Sequence, residues 1–303
     1  MLQYSKYGLS FDIMILEKIQ LAELLDHSNH PSVELAMLRL LSEGFGAEVV
    51  NPVRHAFWLT IDIFEGRFPG YQRCNTDYHN LYHTLDVFVA TIRLLDGHRL
   101  AGVPFTSQQV IQLTLGALLH DVGYIQTLDD TSGSGAKYTK THVKRGVEFL
   151  QRHYSAFGIN AAQVPEISKL IYSTDLALEC DQTLSSTILA TADLMGQMAD
   201  RAYLEKLLFL YNEFKEAGFD NYQTAFDLLK STKSFYQVIL NRMDNELHKT
   251  YQMVVYHFQH HLGLASNLYM VAISNQMEYL QGIMDDTTTN FRKKLKRIDL
   301  EGL

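Results

Sequence analysis

Apolar residues recur at helical spacing along most of the chain. Between residues 107 and 124, Ile111, Leu115, Leu118, Leu119 and Val122 fall at i, i+4, i+7, i+8 and i+11, one face of a helix with Ser107 as its N-cap. Residues 77–95 repeat the spacing through Leu81, Leu85, Phe88, Ile92 and Leu95, and Asp96-Gly97 reads as a C-terminal stop. The same periodicity predicts helices over 31–42, 141–153, 165–172, 185–211 and 224–230, and a long run from Phe235 to about Met284. Before residue 51, Ile15, Ile19, Ala22 and Leu25, then Leu35, Leu38 and the stretch 41–45, form amphipathic stripes that either pack on the main body or make a homodimer contact. No alternation marks a strand, and no segment repeats. The prediction is an all-α fold, a compact multi-helix domain over 51–289 with an N-terminal helical extension (1–50) and a basic tail (290–303).

Composition narrows the function. Of 303 residues, 47% are hydrophobic and 20% charged, which suits a folded globular chain. The formal charge of −8 argues against a nucleic-acid partner, because a phosphate backbone is normally met by a cationic face. Two cysteines, Cys74 and Cys180, exclude a disulfide framework and point to a reducing, cytoplasmic compartment. Asp12 and Glu17 interrupt the apolar N-terminus, so no signal peptide is read, and no uncharged apolar run is long enough to span a membrane. Residues 129–136 (DDTSGSGA) read as a loop, a flexible connection or a site rim; the cationic cluster at 292–297 reads as a solvated helix end.

Three polar constellations stand out, the second and third of them in otherwise apolar helical segments. His79 and His83 are four apart and would share a helix face, able to bind one metal together or to divide ligation and proton transfer between them. His120-Asp121 closes the apolar segment LTLGALLHD, where an unpaired carboxylate would be expensive. Asp121 could bridge two metals, or it could cap the next segment with His120 as a satisfied core histidine. Asp193 lies in TILATADLM, either as a ligand or as a partner for a neighbouring helix end or arginine. Together His83, His120, Asp121 and Asp193 make an ordered His…His-Asp…Asp series. Two nitrogens and two carboxylates without a thiolate suit one or two divalent ions such as Mn, Mg, Fe or Zn, with positions left for water or substrate.

This ordered series resembles the signature of the HD superfamily of metal-dependent phosphohydrolases. The segment Tyr78-His79-Asn80-x-x-His83-x-x-Asp86-Val87 is similar to that of the class I cyclic-nucleotide phosphodiesterase catalytic domain, with Thr84 in place of the usual Ala. ALLHD (117–121), HVKRGVEFL (142–150), IYSTDL (171–176) and ADL (192–194) follow in the family's order. The resemblance implies that His83, His120, Asp121 and Asp193 hold the first metal, with Asp121 bridging to a second. It implies that His79 is the general acid and His142 a second-metal or phosphate ligand, while Asp86 and Asp175 orient the imidazoles. It also pairs Gln276 and Tyr279 with the residues that hold a purine base. After the His-Asp pair this chain has Val122-Gly123-Tyr124, where the phosphodiesterases carry a further His followed by Pro-Gly. The implied function is hydrolysis of a nucleotide-like phosphodiester by metal-activated water. The alternatives are an HD-type nucleotidase or cyclic-dinucleotide hydrolase, and a degenerate non-catalytic HD sensor. The remaining histidines, His27, His98 and His257 among them, show no convincing partners, and the methionines read as core filling.

Overall fold

The computed structural model describes residues 19–298, of which eleven α-helices form the bulk. In chain order these are α1 (His30–Phe45), α2 (Val50–Phe64), α3 (Leu81–Leu100), α4 (Ser107–Leu119), α5 (His142–His153), α6 (Val164–Tyr172), α7 (Leu184–Ala199), α8 (Tyr203–Glu216), α9 (Ala225–Asn245), α10 (Val254–Leu262) and α11 (Leu268–Asp285). The fold is all-α, with 68% of the described residues helical. Among the described residues the one extended pairing is an isolated antiparallel bridge between Tyr71 and Thr127. No described helix is long and apolar enough to cross a membrane. Ile15, and the Asp12 and Glu17 used against a signal peptide, lie outside the described residues.

Two helices organise the core. From Val87 to His98, α3 is buried on every side, packed by α1, α4, α7 and α10. Almost all of α7 is buried too, and it lies against α3, α4, α6 and α11. A helix enclosed all round has no polar face, which is why both mix small, polar and apolar residues around the full turn. The N-terminal segment is integral to this packing, since Val33, Met37, Leu38 and Leu41 of α1 are buried against α2 and α3. Each such aliphatic side chain contributes on the order of 1.5–3 kcal/mol when fully removed from water.

Several predicted boundaries move, for reasons visible in the packing. The stop expected at Asp96-Gly97 is not used, and α3 continues to Leu100. Asp96 accepts hydrogen bonds from His257 Nδ1 (2.7 Å), His261 Nε2 (2.8 Å) and Arg99 Nη2 (2.7 Å), so its charge is satisfied inside the protein. Gly97 admits the Met253 backbone, because a Cβ there would stand 2.1 Å from the Met253 carbonyl oxygen. The cap of α4 is Thr106 rather than Ser107, in a reciprocal capping box with Gln109. The helix expected over 185–211 breaks at Asp200, whose ψ of 131° leaves the helical region. The long C-terminal run divides at His248 and Lys249, both at positive φ, and again at Gly263 (φ 70°). Helix α2 was not anticipated, although Val53, Phe57, Thr60, Ile61 and Phe64 trace its buried face.

The two predicted irregular segments are both tied down. In the loop at 129–136, Glu216 accepts hydrogen bonds from the Ser134 amide and hydroxyl, and Lys137 pairs with Asp130. The basic tail is packed rather than solvated: Leu295 is buried, and the amides of Lys296 and Arg297 donate to Glu205 (3.1 and 3.2 Å).

Candidate metal centre

The centre is built where α3, α4 and α7 meet. Asn80 caps α3, its side-chain oxygen accepting from the amides of Tyr82 (3.0 Å) and His83 (3.3 Å). His83 therefore sits in the first helical turn, and His79 lies before the cap. The expectation that the two share a helix face fails for this reason: Asn80 has extended backbone angles, and the His79 and His83 rings stand nearly perpendicular, 6.0 Å apart. His120 ends α4, and Asp121 opens a short 3₁₀ turn, Val122–Tyr124. Asp193 comes from the middle of α7.

His83, His120 and Asp121 bring a donor atom each within 4.8 Å of the others, and Asp193 approaches the two imidazoles. His83 Nε2 is 3.2 Å from Asp121 Oδ2 and 3.4 Å from Asp193 Oδ1. His120 Nε2 is 3.3 Å from Asp121 Oδ2, 3.8 Å from Asp193 Oδ1 and 3.2 Å from His83 Nε2. Metal–ligand bonds of about 2.0–2.2 Å place neighbouring donors roughly 3.0–3.4 Å apart, so most of these spacings suit a single cation. His120 Nδ1 donates to the Ala117 carbonyl (2.8 Å). A carbonyl can only accept, so the proton of the neutral ring is on Nδ1 and Nε2 presents a lone pair to the cluster. Asp121 Oδ2 is buried with no hydrogen-bond partner. Lone pairs and carboxylate oxygens pointing at a common place form a set that a divalent cation satisfies, and the buried residues present fit one.

The electrostatics carry the same demand for positive charge. Burial pulls the His83 pKa down, but Asp121 and Asp193 outweigh it and hold it up at about 10. Burial opposes ionisation of Asp121, and His120 and His83 overcome that to keep its pKa well below the usual carboxylate range.

Beside this cluster, His142 at the start of α5 reaches Asp121 Oδ1 at 3.6 Å. Its Nδ1 donates to the Thr139 carbonyl (2.8 Å), so Nε2 again presents a lone pair. Burial holds the His142 pKa down, favouring the neutral ring a metal needs. Gly123 makes this approach possible, since a Cβ there would meet the His142 carbonyl oxygen at 1.9 Å.

Two residues of the site were not singled out from the sequence. Glu213 of α8, 4% exposed, accepts from His79 Nδ1 (2.5 Å) and from the Tyr78 amide (2.7 Å). Its signal was there, because Glu213 falls three residues after Leu210 on the inward side of α8. Tyr124 is the second. Its ring stacks on both imidazoles, nearly parallel to His79 (centroids 4.4 Å apart, 11°) and to His142 (4.5 Å, 22°), which are themselves 6.1 Å apart.

Other expected site residues lie elsewhere. Asp86 does not orient a site imidazole; it accepts from His27 Nδ1 and lines a separate cavity with Arg93 and Lys206. Asp175 lines the cavity over the cluster, but its carboxylate accepts from the Ala177 amide. Gln276 and Tyr279 are remote from that cavity. Gln276 donates to the carbonyls of Asp200 (2.6 Å) and Arg201 (2.9 Å), satisfying the break after α7, and accepts from Arg297. Tyr279 donates to the Lys294 carbonyl and lies under the Arg297 guanidinium. Neither is placed to hold a base near the metal centre.

A family described as Npun_R2479-like matches residues 128–273, a little under half of the chain. The matched stretch includes His142, Asp193 and Glu213, and begins after the His120-Asp121 pair. A search of curated proteins gives no match.

Proposed function

We propose that the chain is a metal-dependent phosphoric ester hydrolase acting on a phosphodiester. The observation that carries this reading is the convergence of His83, His120, Asp121 and Asp193 with an orphaned carboxylate oxygen. His79 stands beside them on the wall of a cavity of about 640 Å³. The four residues would hold one divalent ion, and Asp121 with His142 would contribute to a second. When bound, such ions lower the pKa of a coordinated water and neutralise charge growing on the phosphoryl oxygens. Glu213 fixes Nδ1 of His79 as the protonated nitrogen, leaving Nε2 to serve the cavity. From there His79 protonates the departing ester oxygen, the role implied by the resemblance to HD phosphohydrolases. Tyr124 keeps the ring in one plane while this happens. Lys140 and Lys144 on the cavity wall offset the overall −8 charge near an anionic substrate.

The test is metal analysis of the purified protein together with hydrolysis of bis(4-nitrophenyl) phosphate. Bound divalent metal and turnover, both lost in Asp121→Asn, are expected. Turnover that persists after the metal is fully chelated would sink the reading, and metal binding without turnover on any phosphoester would leave the chain a non-catalytic sensor.

A further inference from the structure

The cavity over the metal centre has two unlike ends. One is the His/Asp cluster. The other is walled by Leu207, Leu210, Phe214, Tyr222, Leu228 and Phe235, from α8, α9 and the turn between them. Its threonine, serine and glutamine side chains have their hydrogens committed locally. Thr139 donates to the Ala136 carbonyl (2.7 Å) and Thr174 to the Ile171 carbonyl (2.8 Å). Ser231 and Thr232 both donate to the Leu228 carbonyl (2.8 and 3.1 Å), and the Gln197 amide donates to Asp193. Reading a nucleobase edge needs amide or hydroxyl donors aimed at the ligand; the amide and the aliphatic hydroxyls are turned back into the protein, while the Tyr124 hydroxyl is buried without a partner. The apolar surface also continues to the mouth, where Tyr172 and Leu176 are 37% and 50% exposed.

We propose that this chamber takes an extended apolar group attached to the phosphate, so that the substrate is an amphiphilic phosphoester, an alkyl-chain or similarly apolar one, rather than a nucleotide. This rests on the reading of the His/Asp cluster as the phosphate end. A volume of about 640 Å³ lies within the range of sites that engulf a small ligand, and an apolar wall pays back roughly fourfold in affinity for each methylene it removes from water.

The test titrates the metal-loaded full chain calorimetrically with methylphosphonate, hexylphosphonate and AMP. Hexylphosphonate is expected to bind at least about 100-fold tighter than methylphosphonate and tighter than AMP. Phe235→Ser and Leu210→Asn, both at half-buried wall positions, should each remove at least tenfold of that gain and leave methylphosphonate binding unchanged. Equal affinity for the two phosphonates, tighter binding of AMP, or a chain-length gain that survives both variants would overturn the apolar chamber while leaving the metal centre standing. If no phosphonate binds at all, the phosphate-end reading falls, and this proposal with it.

Discussion

In the proposed hydrolysis His79 and Glu213 would divide the acid's work between a ring that carries the proton and a carboxylate that aims it. His79 touches none of the four clustered ligands through a hydrogen bond, and its Nδ1 is taken by Glu213 at 2.5 Å. His79→Ala should therefore lower kcat by about 10²–10⁴ on esters with poor leaving groups, and by much less on a nitrophenyl ester whose leaving oxygen needs no proton. Metal content measured on the same preparation should be unchanged, and loss of metal would reassign His79 as a ligand. Glu213→Gln keeps the shape but removes the carboxylate that fixes the tautomer. It should reduce kcat less than His79→Ala and leave KM near the wild-type value. The clustered residues were legible in the sequence, His120, Asp121 and Asp193 as polar residues in apolar runs and His83 through its spacing from His79. Glu213 stands among Asn212, Lys215 and Glu216, so nothing in its neighbourhood set it apart from the exposed charges of the same helix.

At the scale of whole elements, sequence signals held where a helix meets its own residues and gave way where it meets another backbone. The helical periodicity located α4, α5 and α6 closely. Asp96-Gly97 has the chemistry of a helix end, yet His257 and His261 from α10 satisfy the carboxylate, and Met253 needs the glycine for closest approach. Neither fact can be seen from residues near position 96. Gln276 and Tyr279 illustrate the converse, since their spacing fitted a base-binding pair but the packing of α11 turns them toward Asp200 and Lys294. The glycines give a direct check. Gly97→Ala should destabilise the fold by at least about 1–3 kcal/mol, because the added methyl meets a backbone carbonyl that cannot rotate away. Gly282→Ala, in α11 with nothing within 4 Å of the new Cβ, should be neutral or stabilising by up to about 1 kcal/mol. Urea midpoints of the two variants measure both, and equal shifts would refute the close approach at Gly97.

Over the whole molecule, stability is set by a core that encloses titratable groups, and its pH dependence follows from how each is paired. His98 near the end of α3 is 5% exposed, its Nε2 has no partner, and burial holds its pKa down at about 4. The unfolded chain titrates this ring near 6.5. Between those values the unfolded state binds the extra proton, so the contribution is intact above about pH 6.5 and is lost as the pH falls toward 4. At about 1.4 kcal/mol per unit, that window removes on the order of 3 kcal/mol. Asp96, held well below the carboxylate range against its own burial by His257, Arg99 and His261, yields its contribution only at lower pH and does not mask the effect. His257, whose pKa burial also lowers, adds to the loss in the same direction. Stability measured by urea unfolding at intervals from pH 7 to 4 should thus decline steadily in the wild type. His98→Gln, which cannot take up the proton, should flatten a substantial part of that decline. An unchanged slope in the variant would mean that His98 reaches solvent without unfolding and that the end of α3 opens as a unit of its own.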